Sequence, residues 1–283
     1  MTTPMNTNNN RLPIGVFDSG VGGLTVLRAL RELLPAEDFR YLGDTARLPY
    51  GTKSRESVVR YALQSSRHLV AQGVKLLVVA CNTATAAALP DLAEAYPGIP
   101  VVGVVKPGAR AGCAFNTNGR IAVLATESTV QGGAYQDAIR ELCPHMRIEA
   151  AACSLFVSLA EEGWTEGPLV EGIAKRYLEP LFARFGNEPP TSLVLGCTHF
   201  PVLAGAIAKV AGEGVTVIDS AVTTAQEVRE LLVHHGLSHP EPDRPDAGKT
   251  CFLATDGRER FARVGSIFLG RAIDLAEVSI VDL

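Results

Sequence analysis

Short apolar runs rich in β-branched residues alternate with longer amphipathic stretches along most of this 283-residue chain. We predict strands at 14–18, 39–43, 74–80, 101–105, 121–126, 147–152, 192–196, 215–219 and 251–255. Several of these runs are apolar on both faces, which is typical of parallel strands buried between helix layers. Apolar residues at helical spacing predict helices over 23–34, 54–72, 84–96, 128–142, 168–185, 202–211, 221–236 and 258–270. The alternation therefore predicts an α/β fold with parallel sheets.

Two segments with the same pattern divide the chain into similar halves. LLVVACNTA at 76–84 and SLVLGCTHF at 192–200 each read as a strand, a cysteine, polar residues and a helix start. We predict a first α/β lobe from 14–105 and 220–283, a second lobe from 106–219, and a disordered polar leader at 1–13. Because open α/β sheets bind ligands at the carboxyl ends of their strands, we expect the active site in the cleft between the lobes.

Composition excludes several classes of protein. The chain has 26 Lys and Arg against 30 Asp and Glu, which argues against binding to nucleic acid or to an acidic membrane. No apolar run is long enough to cross a bilayer, and residues 1–13 lack the apolar core of a signal peptide. Six cysteines without a C-x-x-C pair predict reduced thiols in a cytoplasmic protein and no metal site.

A glycine-rich turn, DSGVGG at 18–23, follows the first predicted strand. Such a turn presents backbone N–H groups at a helix N-terminus and predicts an anion site. Neither the dinucleotide fingerprint nor the Walker pattern fits its spacing, so the anion could be a carboxylate. The alternative is a tight strand-to-helix turn, but a carboxylate such as Asp18 at a strand end is costly unless it binds something.

Two cysteines occupy matching positions between a strand and a helix. Cys81 is followed by Asn82 and Thr83, and the helix N-terminus is expected to lower the pKa of its thiol. Cys197 precedes Thr198 and His199, whose imidazole could act as an acid or base. Each cysteine alone could be a small buried apolar residue. The pair is much harder to attribute to chance, so we predict two thiols that face each other across a cleft.

A third polar loop follows the strand at 39–43 and is expected at the same edge of the sheet. It runs from Asp44 to Lys53, and Pro49 and Gly51 mark a rigid turn. Tyr50 offers a hydroxyl and neighbouring backbone donors to a ligand. Taken alone, this segment also fits an ordinary loop.

A thiolate and a thiol on opposite faces of a carbon suit a two-base proton exchange. One group removes a proton and the other delivers a proton to the opposite face, which inverts the stereocentre without redox chemistry. The developing carbanion requires preorganised donors and well-matched bases. The sequence has no lysine in an evident pyridoxal phosphate setting and no nucleotide fingerprint, so the simplest expectation is a reaction without a cofactor.

Four motifs in this order resemble glutamate racemase, of the Asp/Glu racemase superfamily. They are DSGVGG at 18–23, PYG at 49–51, ACNTATA at 80–86 and GCTHFP at 196–201. The resemblance covers about residues 14–270. It implies two flavodoxin-like lobes, no cofactor, and interconversion of L- and D-glutamate that supplies peptidoglycan synthesis. It also implies a small-molecule substrate and a possible homodimer.

The same resemblance assigns roles to individual residues. Cys81 would exchange the α-proton of D-glutamate and Cys197 that of L-glutamate, with Asp18 and His199 assisting. Asp44 and Glu161 resemble acidic positions that are linked to the site. The substrate would be held by Asp18, Ser19, Pro49, Tyr50, Gly51, Asn82, Thr83, Thr198 and His199.

The sequence departs from the family pattern at Lys106, where many members carry an acidic residue, which could alter lobe packing or dimer contacts. Three other functions remain open. The first is an aspartate racemase, or one with broader acidic substrates. The second is a binding protein with a redox-sensing cysteine pair, and the third is a cysteine hydrolase. The hydrolase would leave the second thiol unexplained.

Overall fold

The computed structural model describes residues 9–244 and 248–283. Most of the predicted leader, residues 1–8, lies outside the described residues. The described part begins with a 3-10 helix, Asn9–Arg11, just ahead of the first strand. Residues 245–247 also lie outside the described residues.

Within the described residues, ten strands form two sheets in which every paired strand is parallel. The six-stranded sheet contains β1 (Ile14–Asp18), β2 (Phe39–Gly43), β3 (Leu76–Val79), β4 (Val101–Gly103), β9 (Thr250–Ala254) and β10 (Val278–Ile280). Its order is β10-β9-β2-β1-β3-β4. The four-stranded sheet contains β5 (Arg120–Ala125), β6 (Arg147–Ala152), β7 (Ser192–Gly196) and β8 (Thr216–Asp219), in the order β6-β5-β7-β8. The predicted α/β class with two parallel sheets is confirmed.

Eleven α-helices of the described chain surround these sheets. They are α1 (Leu24–Leu33), α2 (Arg55–Ala71), α3 (Asn82–Ala95), α4 (Val105–Ala114), α5 (Glu127–Gln131), α6 (Ala134–Leu142), α7 (Ser154–Glu161), α8 (Pro168–Ala183), α9 (Ala204–Ala211), α10 (Ala221–His234) and α11 (Arg258–Leu269). None of the described helices is both long and apolar enough to span a membrane.

Both faces of each sheet are covered, which explains the continuous apolar strands. In β1, Val16 packs in a core cluster with Leu27 of α1, while Phe17 points to the opposite face with Leu69 of α2. β5 shows the same division, because Leu124 and Val123 belong to different clusters. Alternate side chains of a strand point to opposite faces, so a sheet buried on both faces needs apolar residues at nearly every position.

Several predicted elements differ from the structure. Helix α4 was not predicted, because the strand was expected to extend to residue 105 and the next residues to form a boundary. Pro107 and Gly108 discouraged a helix there, although proline in a first turn breaks no intrahelical hydrogen bond. The single helix expected at 128–142 is divided at Gly132 and Gly133, and Gly133 has a φ of +68°. Helix α7 and the short edge strand β10 were also missed.

The chain passes between the sheets twice. It leaves the six-stranded sheet after β4, builds the four-stranded sheet, and returns through α10 to β9, which pairs with β2. Helix α10 packs against α1. We propose that the first lobe consists of residues 14–105 and 220–283 and contains the six-stranded sheet. The second lobe then consists of residues 106–219 and contains the four-stranded sheet.

Candidate active site

A pocket lies between the two lobes at the carboxyl ends of their strands. Ten of its lining residues follow β1, β3 or β7 or belong to the Pro49–Gly51 turn, and all ten were singled out from the sequence. The full lining is Ser19, Leu48, Pro49, Tyr50, Gly51, Cys81, Asn82, Thr83, Thr126, Val157, Cys197, Thr198 and His199. Asp18, Asp44 and Glu161 do not line the pocket but lie behind residues that do.

The glycine-rich turn brings the lobes into close contact. Asp18 is fully buried, and its Oδ2 accepts a hydrogen bond from the Gly20 N–H at 3.0 Å. Its Oδ1 accepts one from the Thr198 hydroxyl of the second lobe at 3.4 Å. A methyl group on Gly22 would lie 2.5 Å from Thr198 Oγ1 and 2.5 Å from His199 Nδ1. The turn therefore requires glycine at position 22 for the lobes to meet as they do.

The backbone donors of this turn serve Asp18 rather than an external anion. Hydrogen bonds from the backbone of Ser19, Gly20 and Gly23 reach the carboxyl group of Asp18 and lower its pKa. Burial is the larger effect and raises the pKa, while the charge of His199 also opposes the rise. The predicted anion site thus differs from the structure, because a carboxyl group of the chain itself takes up the donors of the turn.

Cys81 caps α3 and is 5% exposed. Its Sγ accepts a hydrogen bond from the Ala84 N–H at 3.4 Å and its thiol donates to Ser19 Oγ at 3.6 Å. Burial and, to a smaller extent, the nearby charge of Asp18 raise the pKa of the thiol to about 12. The predicted lowering of this pKa is wrong, since desolvation outweighs the contribution of the helix N-terminus.

Cys197 follows β7 and has a different partner. Its Sγ lies 3.9 Å from Nδ1 of His199, and Nε2 of the same ring lies 3.1 Å from Oε1 of Glu161. The other carboxylate oxygen of Glu161 accepts a hydrogen bond from Arg260 Nη2 at 2.8 Å. Glu161 ends α7 and Arg260 lies in the first turn of α11. One chain of contacts therefore runs from the first lobe through the second lobe to the Cys197 thiol.

This chain of contacts fixes the charges around Cys197. Burial lowers the pKa of His199, but its hydrogen bonds with Cys197 and Glu161 outweigh burial and raise the pKa to about 10. Burial raises the pKa of Glu161, whereas His199 and Arg260 lower it by a larger amount. At neutral pH the ring is an imidazolium and Glu161 a carboxylate. Arg260 was not predicted, because nothing in its local sequence marks it as a partner of the site.

Asn82 and Thr83 are held by residues of the second lobe. The Tyr135 hydroxyl donates to Asn82 Oδ1 at 2.7 Å. The Thr83 hydroxyl lies 2.9 Å from that of Thr126 and 3.3 Å from that of Thr129. Sequence reasoning missed the two second-lobe threonines, although their position after β5, at the carboxyl edge of the sheet, is a signal that could have found them.

The Pro49–Gly51 turn contributes shape rather than a free hydroxyl. The Tyr50 hydroxyl donates to the buried carboxylate of Asp44, which also accepts from the Thr255 hydroxyl at 3.0 Å. The predicted ligand role of that hydroxyl is therefore replaced by a contact with Asp44, which positions the tyrosine. A methyl group on Gly51 would lie 2.6 Å from Cβ of Thr126, so this turn also approaches the second lobe closely.

The assembled site places one thiol from each lobe on the same pocket, beside a buried carboxyl group and an imidazolium. Such an arrangement can take a proton from a small anionic ligand on one face and return a proton on the other. Among the described residues, no group of three His, Cys, Asp or Glu side chains is arranged to hold a metal ion.

Comparisons with known proteins agree with this geometry. The family model described as Asp/Glu/Hydantoin racemase matches residues 14–228. A glutamate racemase from Geobacter metallireducens is 46% identical over 268 residues, which cover 94% of this chain and 96% of that protein. The crystal structure of glutamate racemase isoform RacE1 from Bacillus anthracis matches with a TM-score of 0.88 at 39% identity and covers 96% of this chain and 98% of that one.

A third match is a glutamate racemase from Francisella tularensis in complex with D-glutamate. Its TM-score is 0.86 at 36% identity, over 96% of this chain and 98% of that one. These matches confirm the resemblance to glutamate racemase that the four sequence motifs indicate.

Proposed function

Because the chain belongs to the Asp/Glu/Hydantoin racemase family, we propose that it interconverts L- and D-glutamate by proton exchange at Cα between Cys81 and Cys197. One observation carries the proposal: the two cysteines come from opposite lobes and line the same pocket. Glutamate is favoured as the substrate because the relatives described above are glutamate racemases, one of them in complex with D-glutamate. The reaction needs no cofactor in this account.

The two cysteines start from different protonation states. The imidazolium of His199, 3.9 Å from Cys197 Sγ, stabilises a thiolate there. Cys81 keeps its proton, because burial and the charge of Asp18 raise its pKa to about 12. In the direction from L- to D-glutamate, the Cys197 thiolate removes the α-proton. The Cys81 thiol then delivers its own proton to the opposite face, which leaves Cys81 as the thiolate.

Asp18 and His199 each assist the nearer thiol. Asp18 is a buried carboxyl group whose charge acts on Cys81, and its raised pKa suits a group that shuttles or shares a proton. His199 compensates the charge of the Cys197 thiolate while Glu161 fixes the ring. The return direction runs through the same groups in reverse order.

The substrate's polar groups are assigned to donors around the pocket. Ser19, Asn82, Thr83 and Thr198 present hydroxyl or amide groups, while Pro49, Tyr50 and Gly51 shape the wall through a rigid turn. A buried donor binds a carboxylate strongly because it is already oriented and needs little reorganisation when the substrate binds. The carbanion formed at Cα is adjacent to a carboxylate, so these donors also lower the barrier of the reaction.

Single substitutions of the two cysteines test the proposal. Cys81→Ala and Cys197→Ala should each abolish racemisation of L- and D-glutamate while their circular dichroism spectra and melting temperatures stay near those of the wild type. Cys251→Ala, which changes an exposed free cysteine, is the matched control and should keep full activity. Retained turnover in either active-site variant would contradict the two-thiol mechanism, and a wild type that binds glutamate without converting it would support the binding protein with a redox-sensing pair. Faster conversion of aspartate than of glutamate would support the aspartate racemase.

We also propose a cellular role for this activity. The family resemblance supports a cytoplasmic enzyme that supplies D-glutamate for peptidoglycan synthesis, and all six cysteines are free thiols, as expected in a reducing compartment. Complementation of a bacterial strain that requires external D-glutamate for growth tests this role, and failure of an active enzyme to restore growth would contradict it. The homodimer that the resemblance implies is tested by light scattering of the purified protein.

A further inference from the structure

Tyr135 connects the segments that carry the two cysteines. It lies in α6 of the second lobe and is fully buried. Its hydroxyl donates to Oδ1 of Asn82, the residue that directly follows Cys81 in the first lobe, at 2.7 Å. Its ring packs on Gly196, the residue before Cys197, where an added methyl group would lie 2.8 Å from Tyr135 Cε2. One side chain therefore contacts a neighbour of each cysteine.

The direction of this hydrogen bond fixes the orientation of the Asn82 amide. In this contact the Tyr135 hydroxyl is the donor and Oδ1 of Asn82 is the acceptor. A phenol has only one proton, and an amide can accept it only at oxygen. Oδ1 of Asn82 is therefore turned toward Tyr135, and the amide nitrogen is turned the other way.

The amide nitrogen of Asn82 is a buried donor that lacks a partner within the described residues. Asn82 is 3% exposed and lines the pocket between the cysteines. A buried donor without an acceptor destabilises the fold, so such donors are rare unless a ligand supplies the acceptor. A carboxylate oxygen in the pocket is the acceptor that this nitrogen fits.

We propose that Tyr135 is a positioning residue that holds the Asn82 amide with its N–H₂ group toward the substrate carboxylate. The inference rests on the proposed function for the identity of the ligand, and Tyr135 acts only through Asn82. Without the phenol proton, the amide can rotate by half a turn and present Oδ1 to the carboxylate. Two acceptors would then face each other, and substrate affinity would fall for both enantiomers.

The test is Tyr135→Phe, which keeps the ring against Gly196 and removes only the hydroxyl. We expect KM for L- and D-glutamate to rise about tenfold each, the scale of one hydrogen bond to a charged group. We expect kcat to stay within about twofold, because loss of uniform binding raises KM and leaves kcat unchanged. The matched control is Tyr96→Phe, whose hydroxyl donates to the Leu63 carbonyl at 3.5 Å, and its KM should equal that of the wild type.

A double substitution separates positioning from general packing. In an Asn82→Ala background, Tyr135→Phe should change KM by less than about twofold, because the group on which it acts is gone. An equal rise of KM in both backgrounds would overturn the proposal, as would an unchanged KM in Tyr135→Phe alone. A fall of kcat without a change in KM would also overturn it.

Two further measurements keep the outcome clear. If Tyr135→Phe melts far below the wild type, KM of both proteins is measured at a lower temperature at which the variant is folded. An unchanged KM under those conditions would overturn the proposal. Failure of the proposed function itself would look different, because the wild type would convert neither enantiomer of glutamate.

Discussion

Glu161 holds the buried ring of His199 from behind, with Oε1 3.1 Å from Nε2, while the opposite ring nitrogen lies 3.9 Å from Cys197 Sγ. The carboxylate does not touch the pocket, so it acts on the thiol only through the imidazole. Among the described residues, the groups that act on Cys81 are Asp18, Ser19, the Ala84 N–H and Cys197, and none of them is an imidazole. The two thiols of the site are therefore activated by different groups.

Replacing Glu161 tests this indirect role. In Glu161→Gln the ring loses its counter-charge, so the pKa of His199 should fall and the Cys197 thiolate should be less stable. We expect kcat to drop roughly tenfold, or about 1.4 kcal/mol, with a smaller change in KM. In a plot of kcat against pH, the fall of kcat at alkaline pH should begin at a lower pH than in the wild type, because the imidazolium of His199 loses its proton earlier. Unchanged kcat and an unchanged profile would contradict the role given to Glu161.

Arg260 should matter through Glu161 alone. Arg260→Gln removes a half-exposed ion pair, and we expect kcat to fall about threefold, within the range of such pairs. Arg263→Gln is the control, because Arg263 is an exposed arginine on the same helix with no ion pair among the described residues. In a Glu161→Gln background, Arg260→Gln should have no further effect. Additive losses would show that Arg260 acts elsewhere.

The raised pKa of His199 also predicts how stability depends on pH. The ring has a pKa of 6.5 when unfolded and about 10 in the fold, so the folded state binds its proton more tightly. Its contribution to stability is complete below pH 6.5 and is lost as the pH rises through about 10. Urea unfolding of the wild type should lose more stability across this interval than that of His199→Gln. Parallel curves for the two proteins would contradict the raised pKa.

Gly22 should tolerate no side chain, because its contacts belong to the other lobe. We expect Gly22→Ala to lower kcat/KM more than about a hundredfold, because a displacement of a catalytic group by about 1 Å can reduce the rate by that factor. The methyl group would meet Thr198 and His199 at 2.5 Å, and the lobes would have to separate. Gly98→Ala is the control, because an added methyl group there has no neighbour within 4 Å among the described residues. Full activity in Gly22→Ala would show that the lobes do not need this approach.

A buried ion pair far from the pocket gives a contrasting prediction for stability. Lys75 and Glu37 pair at the opposite end of the first sheet, and the Lys75 ammonium also donates to the Asn10 carbonyl at 2.7 Å. Lys75→Met leaves the Glu37 charge buried without its partner, so the free energy of unfolding should fall by about 3–5 kcal/mol. Because no part of the pair reaches the site, kcat and KM at a temperature where the variant is folded should be unchanged. A change in KM would link this pair to the site.

The sequence was sufficient for nine of the ten described strands and for the positions of the two cysteines. Strands 76–79 and 192–196 are continuous apolar runs, and a polar segment follows the carboxyl end of each, so Cys81 and Cys197 could be placed at the site in advance. Residues that reach the site from elsewhere could not be placed. Arg260 and Tyr135 are partners only through the way the lobes pack, which local patterns do not encode.

The direction of the pKa shift of Cys81 could not be predicted from the sequence. The helix N-terminus that follows the cysteine is visible in the sequence and predicts a lower value. The full burial of the thiol and the nearby Asp18 carboxyl group depend on the assembled lobes, and they reverse the sign. Helix α4 was missed for a related reason, because tertiary packing on β7 stabilises a segment whose glycines and proline disfavour a helix.

The central claim is that two thiols exchange different protons on opposite faces of Cα. It is tested most directly by following L-glutamate conversion in D₂O by proton NMR, at early times and with wild-type enzyme. The account predicts that the D-glutamate formed carries deuterium at Cα from the first turnovers, while the remaining L-glutamate keeps its proton. Formation of D-glutamate that retains the original proton would contradict the account, because a single base would then return the proton it removed.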